Sequence, residues 1–299
     1  MSESATAPLT IGFIGLGKMG SPMARLLVES GHRVLGFDLA TEALDHLAEA
    51  GGTPVQSAGE AAVGDLVVLM LPDSNVVSAV LHDADVAAAL ASGSVVVDMS
   101  SSEPVRTREL AEELAQRGIH LIDAPVSGGV RGAESGKLTI MVGGDVEIVD
   151  RVKPVLELLG RPVRAGDVGA GHAVKALNNL MSATHLWVTS EAMIAGQRFG
   201  LDPEVMLSVF NGSSGRSGST ENKWPNFILP GGYDSGFGLR LMLKDMKIAT
   251  ALARAVDVEP TLGDEAVELW SRAADELEPT ADHTEVARWI ASANEASSH

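Results

Sequence analysis

The chain has 299 residues, of which 45% are hydrophobic, which is enough for two domains with packed cores. Its formal net charge of −18 argues against nucleic acid or an anionic membrane surface as a partner, because such a field repels both. The absence of cysteine excludes disulfides, thiolate metal sites and thiol nucleophiles.

The amino terminus shows no targeting signal. Residues 1–9 lack both a basic start and an apolar segment, so a short disordered lead-in is predicted there and not a signal peptide. No apolar run reaches the ~18 residues that a membrane-spanning helix needs. We therefore expect a soluble, cytoplasmic protein.

From residue 10 onward, β-branched runs alternate with amphipathic helical patterns. The predicted strands are Thr10–Gly15, Arg33–Asp38, Asp65–Leu71, Ser94–Met99, Ile119–Asp123 and Leu138–Val142. The predicted helices include Met19–Ser30, Thr41–Ala50, Glu103–Arg117 and Val146–Leu159. Several strands are continuously apolar, as in a parallel sheet covered on both faces. The pattern predicts an α/β fold over residues 10–168, a Rossmann-type doubly wound parallel sheet.

The strand pattern disappears after about Gly171. A long helix is predicted at about residues 171–199, and Gly200 marks its end. Further helices are predicted at residues 203–210, 239–255, 263–277 and 284–293, with a Gly- and Ser-rich loop at residues 211–225. Residues 169–299 are therefore predicted to form an all-α C-terminal domain joined by the long interdomain helix. Binding clefts favour such junctions.

A G-x-G-x-x-G pattern follows the first strand and opens the first helix, which is the context that a dinucleotide site requires. Gly15 permits the tight turn, Gly17 lets the backbone approach a pyrophosphate, and Gly20 lets the helix pack close to the strand. The residues expected to contact the cofactor here are Gly15, Leu16, Gly17, Lys18, Met19 and Gly20.

The second strand ends at Asp38, whose carboxylate suits the ribose hydroxyls of NAD and repels the 2′-phosphate of NADP. NAD is favoured over NADP as cofactor, although Asp38 as a helix cap or loop residue is the alternative. Leu71 and Pro72 follow the third strand, and Ser100–Ser102 follow the fourth. These serines are expected to contact the nicotinamide end, to cap the next helix, or to do both with different serines in each role.

Lys175 precedes Asn178 and Asn179 by three and four residues, so all three are expected on one helical face. A partly buried lysine has a lowered pKa and suits proton transfer. A surface lysine with polar neighbours is the alternative. Separately, Ser127, Gly128 and Gly129 expose backbone amides suited to a carboxylate, as an ordinary Gly-rich turn also does.

Four motifs occur in order: GLGKMGSPMARLL (15–27), DAPVSGG (123–129), GDVGAGHAVKALNN (166–179) and LKDMKIA (243–249). With them the chain resembles the β-hydroxyacid dehydrogenase family, which includes 3-hydroxyisobutyrate dehydrogenase, over nearly its whole length. The resemblance implies that Lys175 is the catalytic acid/base and that Ser127, Gly128 and Gly129 hold the substrate carboxylate. It implies that Asn178 and Asn179 position the substrate, with Asn179 preferred.

The resemblance also extends to later residues. Lys244 would approach the cofactor with Asp245 alongside, Phe237 would line the substrate pocket, and Ser101 stands where relatives often carry threonine. The implied activity is hydride transfer between NAD and a short β-hydroxy carboxylate, with 3-hydroxyisobutyrate favoured. Tartronate semialdehyde, or another small aldehyde-acid such as a sulfolactaldehyde, sugar-acid or serine-like compound, is the alternative. A homodimer or homotetramer is expected.

Two other classes of protein fit less well. Imine reductases share the architecture but usually lack the lysine, and a non-catalytic nucleotide-binding module is expected to have lost it. Arg131 and Arg216 are candidates for a second anionic group on the substrate or for solvent-facing and interface residues. Asp282 is expected to cap a helix, and a contact of Asp282-His283 with a neighbouring active site is the alternative. The histidines show no metal-ligand spacing, so no metal is predicted.

Overall fold

The computed structural model describes residues 8–296, and nine strands within that range form one sheet. The strands are β1 (Thr10–Ile14), β2 (Arg33–Phe37), β3 (Thr53–Pro54), β4 (Leu66–Leu69), β5 (Val95–Asp98), β6 (His120–Asp123), β7 (Val126–Ser127), β8 (Leu138–Gly143) and β9 (Gly160–Gly166). Their order in the sheet is β3-β2-β1-β4-β5-β6-β8-β7, and β9 pairs with β8.

The sheet is mostly parallel. Strands β1 to β6 pair in parallel, whereas β8 is antiparallel to β6 and β7 and parallel to β9. Every residue of β4 and β5 is buried, as expected for parallel strands with both faces covered. The predicted doubly wound α/β fold is confirmed.

Eight helices accompany the described strands. They are α1 (Gly20–Glu29), α2 (Thr41–Glu49), α3 (Ala58–Ala61), α4 (Ser74–His82), α5 (Ala84–Ala89), α6 (Pro104–Ala115), α7 (Gly129–Glu134) and α8 (Val146–Leu159). Strand β2 lies on one side of β1 and β4 on the other, so the winding direction reverses there. Such a reversal opens a crevice beyond the carboxyl ends of the strands.

The sequence did not predict β3, β7, β9 or the helices α3, α4, α5 and α7. The strands β3 and β7 have two residues each, too few to show a periodicity. Strand β9 is mostly exposed and contains Pro162, and neither feature is typical of a core strand. It pairs only with β8 among the described strands, so its conformation comes from that partner.

The remaining elements are helical. They are α9 (Ala170–Phe199), α10 (Pro203–Asn211), a π-helix (Ser219–Ile228), α11 (Leu239–Ala255), α12 (Thr261–Glu276), a 3₁₀ helix (His283–Glu285) and α13 (Val286–Ala296). The predicted loop over residues 211–225 is wrong from Ser219 onward. Thr220, Trp224 and Ile228 are buried at a spacing of four residues, and their burial stabilises a helix that Gly and Ser content concealed.

The core of this helical part contains a cluster of indole rings. The Trp187 ring centroid lies 6.3 Å from that of Trp270 and 5.8 Å from that of Trp289. Trp270 is fully buried, and Trp224 belongs to the same apolar core. Tilted ring pairs of this kind add about 0.5–1.5 kcal/mol each beyond the burial of their area.

The chain divides into two compact units, one ending at Lys175 and one beginning at Ala176, so the division falls inside α9. Of the predicted lead-in over residues 1–9, residues 1–7 lie outside the described range. Leu9 packs against the core of the first unit, and its N–H donates to Nδ1 of His32 at 3.2 Å.

Helix α9 carries exposed apolar side chains at Val174, Leu177, Met181 and Val188. The predicted homodimer or homotetramer stays a prediction. No helix between residues 8 and 296 is both long and apolar enough to cross a bilayer.

Candidate active site

The glycines of the first turn have three distinct environments. Gly15 has a φ of 98°, and a Cβ there would lie 2.3 Å from the carbonyl oxygen of Met70. A Cβ on Gly20 would lie 1.9 Å from the carbonyl oxygen of Gly15. Around Gly17, by contrast, no heavy atom of the described residues other than its chain neighbours lies within 4 Å of an added Cβ. Gly15 and Gly20 are therefore needed for packing, whereas packing alone does not require a glycine at position 17.

Asp38 connects the end of β2 to this turn. Its Oδ2 accepts a hydrogen bond from the N–H of Leu16 at 2.6 Å, and its Oδ1 accepts one from the N–H of Ala40 at 2.8 Å. The N-cap residue of α2 is Ala40, so Asp38 does not cap that helix. Each carboxylate oxygen has two lone pairs and retains acceptor capacity. Leu16 is buried, Met19 packs on the core, and Lys18 is exposed.

The loop after β5 uses its serines in different ways. Ser100 is buried, and its Oγ accepts a hydrogen bond from the N–H of Leu71 at 2.9 Å. Ser102 is also buried, and its Oγ donates to Oδ2 of Asp98 at 2.8 Å. Ser101 is the partly exposed member of the three. The alternative that Ser100 or Ser102 caps α6 is wrong, because the N-cap is Glu103 and its N–H donates to Oγ of Ser74.

The first turn of α9 is anchored by Asp123 at the end of β6. The carboxylate oxygens accept from the N–H of Gly169 at 2.6 Å and from the N–H of His172 at 2.7 Å. A carboxylate at the start of a helix accepts hydrogen bonds from the unpaired amides there and is attracted to the positive end of the helix dipole. Sequence reasoning assigned no role to Asp123 or to His172. The signal for Asp123 was an acidic residue at the end of a core strand, and the signal for His172 was its position three residues before Lys175.

Helix α9 buries one stripe of side chains at helical spacing, which includes His172, Lys175 and Asn179. Lys175 is 7% exposed and Asn179 is 5% exposed, whereas Asn178 is exposed. The expectation that both asparagines share the face of Lys175 is therefore met by Asn179 alone. A solvent-facing lysine, the alternative for Lys175, is excluded by its burial.

In the second unit, Asn179 belongs to a charged network. Its Nδ2 donates to Oδ2 of Asp245 at 2.7 Å, and its Oδ1 accepts from Nδ2 of Asn178 at 3.2 Å. Asp245 is buried, and its Oδ1 lies 3.5 Å from Nζ of the partly exposed Lys244. The carboxylate thus orients the carboxamide of Asn179.

Phe237 lies in a loop that Asp282 holds in place. Oδ2 of Asp282 accepts from the N–H of Gly236 at 2.8 Å and from that of Phe237 at 3.1 Å. Nδ1 of His283 donates to the carbonyl oxygen of Phe237 at 3.0 Å, and the two rings meet edge to face at 5.8 Å. Asp282 also caps the 3₁₀ helix, as predicted, and forms a capping box with Glu285.

Burial lowers the pKa of His283 to about 4, and the positive charge of Lys223 acts in the same direction. Because an unfolded histidine has a pKa of about 6.5, the unfolded chain takes up this proton first. The folded state is therefore fully stable with respect to this group above about pH 6.5, where His283 is neutral in both states. As the pH falls from there toward about 4, only the unfolded chain binds the proton, so the free energy of unfolding decreases. We expect the free energy of unfolding to fall by about 3 kcal/mol more in the parent than in His283→Gln over this range.

The measurement is urea unfolding of both proteins at several pH values, followed by far-ultraviolet circular dichroism. The exposed His120, replaced by Gln, serves as the control and is expected to keep the parent's pH dependence. Equal pH dependence in the parent and in His283→Gln would contradict this assignment.

The loop expected to hold the substrate carboxylate follows β7, in which Ser127 pairs with Thr139 of β8. Gly128 and Gly129 have φ values of 132° and 62°, which favour glycine. The turn leads directly into α7, and amides in the first turn of a helix have no partner within it. The arrangement offers N–H donors without side-chain bulk.

Neither candidate arginine is buried. Arg131 is exposed on α7. Arg216 forms an exposed ion pair with Glu221, with Nε donating to Oε1 at 2.7 Å. An exposed pair of this kind contributes little to stability.

Comparisons with known proteins give consistent matches. A family model for the NAD binding domain of 6-phosphogluconate dehydrogenase matches residues 10–195. A second, described as the NAD-binding of NADP-dependent 3-hydroxyisobutyrate dehydrogenase, matches residues 169–290.

Among curated relatives, the chain is 40% identical over 244 residues to 2-(hydroxymethyl)glutarate dehydrogenase of Eubacterium barkeri, covering 81% of each chain. It is 41% identical over 271 residues to 3-hydroxyisobutyrate dehydrogenase of Pseudomonas aeruginosa, covering 87% of this chain and 91% of that protein. Among solved structures, Mycobacterium tuberculosis 3-hydroxyisobutyrate dehydrogenase with L-serine is 32% identical with a TM-score of 0.89, and the match covers 95% of this chain and 99% of the other.

Proposed function

Because the chain belongs to the β-hydroxyacid dehydrogenase family, we propose that it transfers hydride between NAD and a short β-hydroxy carboxylate, with 3-hydroxyisobutyrate as the preferred substrate. The observation that carries this proposal is the buried lysine at position 175 on the same helical stripe as Asn179. An ammonium is costly to bury, so its burial in a helix start is more consistent with proton transfer than with packing.

The chain's own residues supply acid–base chemistry and orientation. Nicotinamide, when bound, accepts or returns the hydride. In the oxidation direction, neutral Lys175 takes the hydroxyl proton through Nζ, and in reduction the ammonium returns it to the carbonyl oxygen. Asn179, held by Asp245, orients the substrate, and the exposed Asn178 acts through its hydrogen bond to Asn179.

Substrate recognition is assigned to two segments. The backbone amides at Ser127, Gly128 and Gly129 bind the carboxylate, since the turn offers donors without bulk. Phe237 contributes an apolar wall for the substituent on the carbon between the carboxylate and the alcohol. Asp282 holds the loop of Phe237 by hydrogen bonds. This restraint favours a pocket wall of fixed shape.

NAD is the proposed nucleotide, although one of the matching families is described as NADP-dependent. Asp38 supports NAD because its carboxylate at the end of β2 would repel a 2′-phosphate. Leu39 and Ala40 follow, and neither offers the positive charge that a 2′-phosphate needs. Contacts of Leu71, Pro72, Ser101 and Lys244 with the cofactor are part of the same proposal.

The test is a panel of hydroxy acids followed by the absorbance of reduced nicotinamide, with NAD and NADP run side by side. The panel contains 3-hydroxyisobutyrate, glycerate, serine, threonate, 2-(hydroxymethyl)glutarate and a sulfopropanediol. We expect the highest kcat/KM for 3-hydroxyisobutyrate with NAD. A higher value for another acid would refute the substrate assignment alone. A lack of turnover with every acid and both nucleotides would refute the proposed function.

A further inference from the structure

His172 is a fully buried histidine with both ring nitrogens engaged. Its Nε2 lies 3.1 Å from the carbonyl oxygen of Ser100, and because a carbonyl can only accept, Nε2 carries a hydrogen there. Its Nδ1 lies 2.9 Å from Oγ1 of Thr107, a residue of α6. The ring therefore makes hydrogen bonds to two separate elements of the first unit.

Two buried carboxylates flank this imidazole. Asp98 and Asp123 end the adjacent strands β5 and β6 and are register partners. Nε2 lies 3.7 Å from Oδ2 of Asp98, and Nδ1 lies 3.9 Å from Oδ2 of Asp123. These distances exceed hydrogen-bond length, so the imidazole is held by the hydrogen bonds to Ser100 and Thr107.

Each carboxylate is satisfied by other donors. Asp98 accepts from the N–H of Ser100 and from Oγ of Ser102, and Asp123 accepts from the amides of Gly169 and His172. Among the side chains that the structure describes, residues 8–293, no group of three or more His, Cys, Asp or Glu is arranged to hold a metal ion. His172, Asp98 and Asp123 therefore form a buried cluster that is held together by hydrogen bonds to neighbouring loops and helices.

Through these hydrogen bonds, His172 links two segments whose relative position matters for the proposed reaction. One is the loop Ser100–Ser102, whose Ser101 is assigned to the cofactor. The other is the first turn of α9, where His172 lies three residues before Lys175 and so on the same face. Thr107 extends the link to α6 and, through its Oγ1, to the carbonyl oxygen of Glu103.

We propose that His172 is a positioning residue for hydride transfer: by tying the loop Ser100–Ser102 to the first turn of α9, it sets where Lys175 stands relative to the cofactor. This inference rests on the proposed function, in which Lys175 exchanges the proton. Misplacement of a reacting group by about 1 Å is enough to lower a rate about 10²-fold. A merely structural histidine would instead affect stability and leave the turnover of folded enzyme unchanged.

The test compares His172→Leu with His172→Gln. Leucine fills similar space but makes neither hydrogen bond, whereas the glutamine amide can still donate to the carbonyl oxygen of Ser100. We expect kcat of His172→Leu to fall about tenfold to a hundredfold with little change in KM or in the Kd for NAD. We expect His172→Gln to recover part of the loss. Deuterium on the reacting carbon should give a larger isotope effect on kcat in His172→Leu than in the parent.

The control is His185→Leu, because His185 lies exposed on the same helix and should keep the parent kcat. If His172→Leu does not fold, Thr107→Val removes only the hydroxyl that meets Nδ1 and is expected to lower kcat several-fold. Parent kcat in folded His172→Leu, or in both Thr107→Val and His172→Gln, would overturn the inference. So would a fall in kcat that merely follows a loss of NAD binding.

These outcomes are distinct from failure of the proposed function. That function fails if the parent turns over no hydroxy acid, and the acid/base assignment within it fails if Lys175→Ala stays active. The positioning role fails if the parent is active and Lys175→Ala is inactive while the changes at His172 and Thr107 leave kcat unaltered.

Discussion

Replacing Lys175 with alanine is expected to lower kcat by a factor of about 10²–10⁴ while the Kd for NAD changes little. The amine is the proposed acid/base, and no step of nucleotide binding is assigned to it. The first measurement is initial rate with the preferred hydroxy acid at saturating NAD. The second is the Kd for NAD by isothermal titration calorimetry.

Lys153→Ala is the matched control, because Lys153 is exposed on α8 and pairs only weakly with Glu157, with Nζ 3.8 Å from Oε1. It is expected to retain parent turnover. Turnover of Lys175→Ala within a few-fold of the parent would remove the assignment of the acid/base. A parallel loss of NAD affinity would instead indicate a role in binding.

The second large effect is expected from alanine substitutions at Gly20 and Gly17, which should change different properties of the protein. Gly20→Ala places a methyl group 1.9 Å from the backbone oxygen of Gly15, so α1 must move away from β1. Overpacking of this kind costs about 1–3 kcal/mol or more, and we expect a clear fall in Tm. The new methyl group of Gly17→Ala meets no atom of the described residues within 4 Å, its chain neighbours aside, and the variant should keep the parent Tm. Its methyl group enters the space assigned to the pyrophosphate, so NAD affinity should fall about tenfold to a hundredfold.

Each glycine variant serves as the control for the other. Differential scanning calorimetry gives Tm without ligand, and titration of folded protein gives the Kd for NAD. A Gly17→Ala variant that binds NAD like the parent would contradict the placement of the pyrophosphate. A Gly20→Ala variant with the parent Tm would contradict the close contact of α1 with the turn.

The long apolar strands and the glycine turn could be predicted because their signals are local. Strand β4 is apolar and buried at every residue, and β5 departs from this only at its last residue, the buried and hydrogen-bonded Asp98. Helix α11 was predicted with the bounds Leu239–Ala255 that the structure shows, because its amphipathic pattern is strong. The pairing partner of β9, by contrast, is a matter of tertiary contact that no local pattern encodes.

The candidate site divides in the same way. Helical spacing was enough to bring Lys175 and Asn179 onto one face, but it did not predict that Asn178 is exposed, because three- and four-residue spacings diverge around the helix. The bond from Asn179 to Asp245 joins residues 66 positions apart. The contact of His172 with Ser100 spans 72 positions. Such partners follow from the fold, so only the donor and acceptor types could be read in advance.

The distribution of aromatic residues has a practical consequence. Trp187, Trp224, Trp270 and Trp289, together with Tyr233, all lie beyond Ala176, and the first unit has only phenylalanine. The indole emission of this protein therefore comes from the helical unit, and its change on unfolding follows the loss of that unit's core. Comparing that emission with backbone signals from the whole chain would tell whether the two units melt together or one after the other.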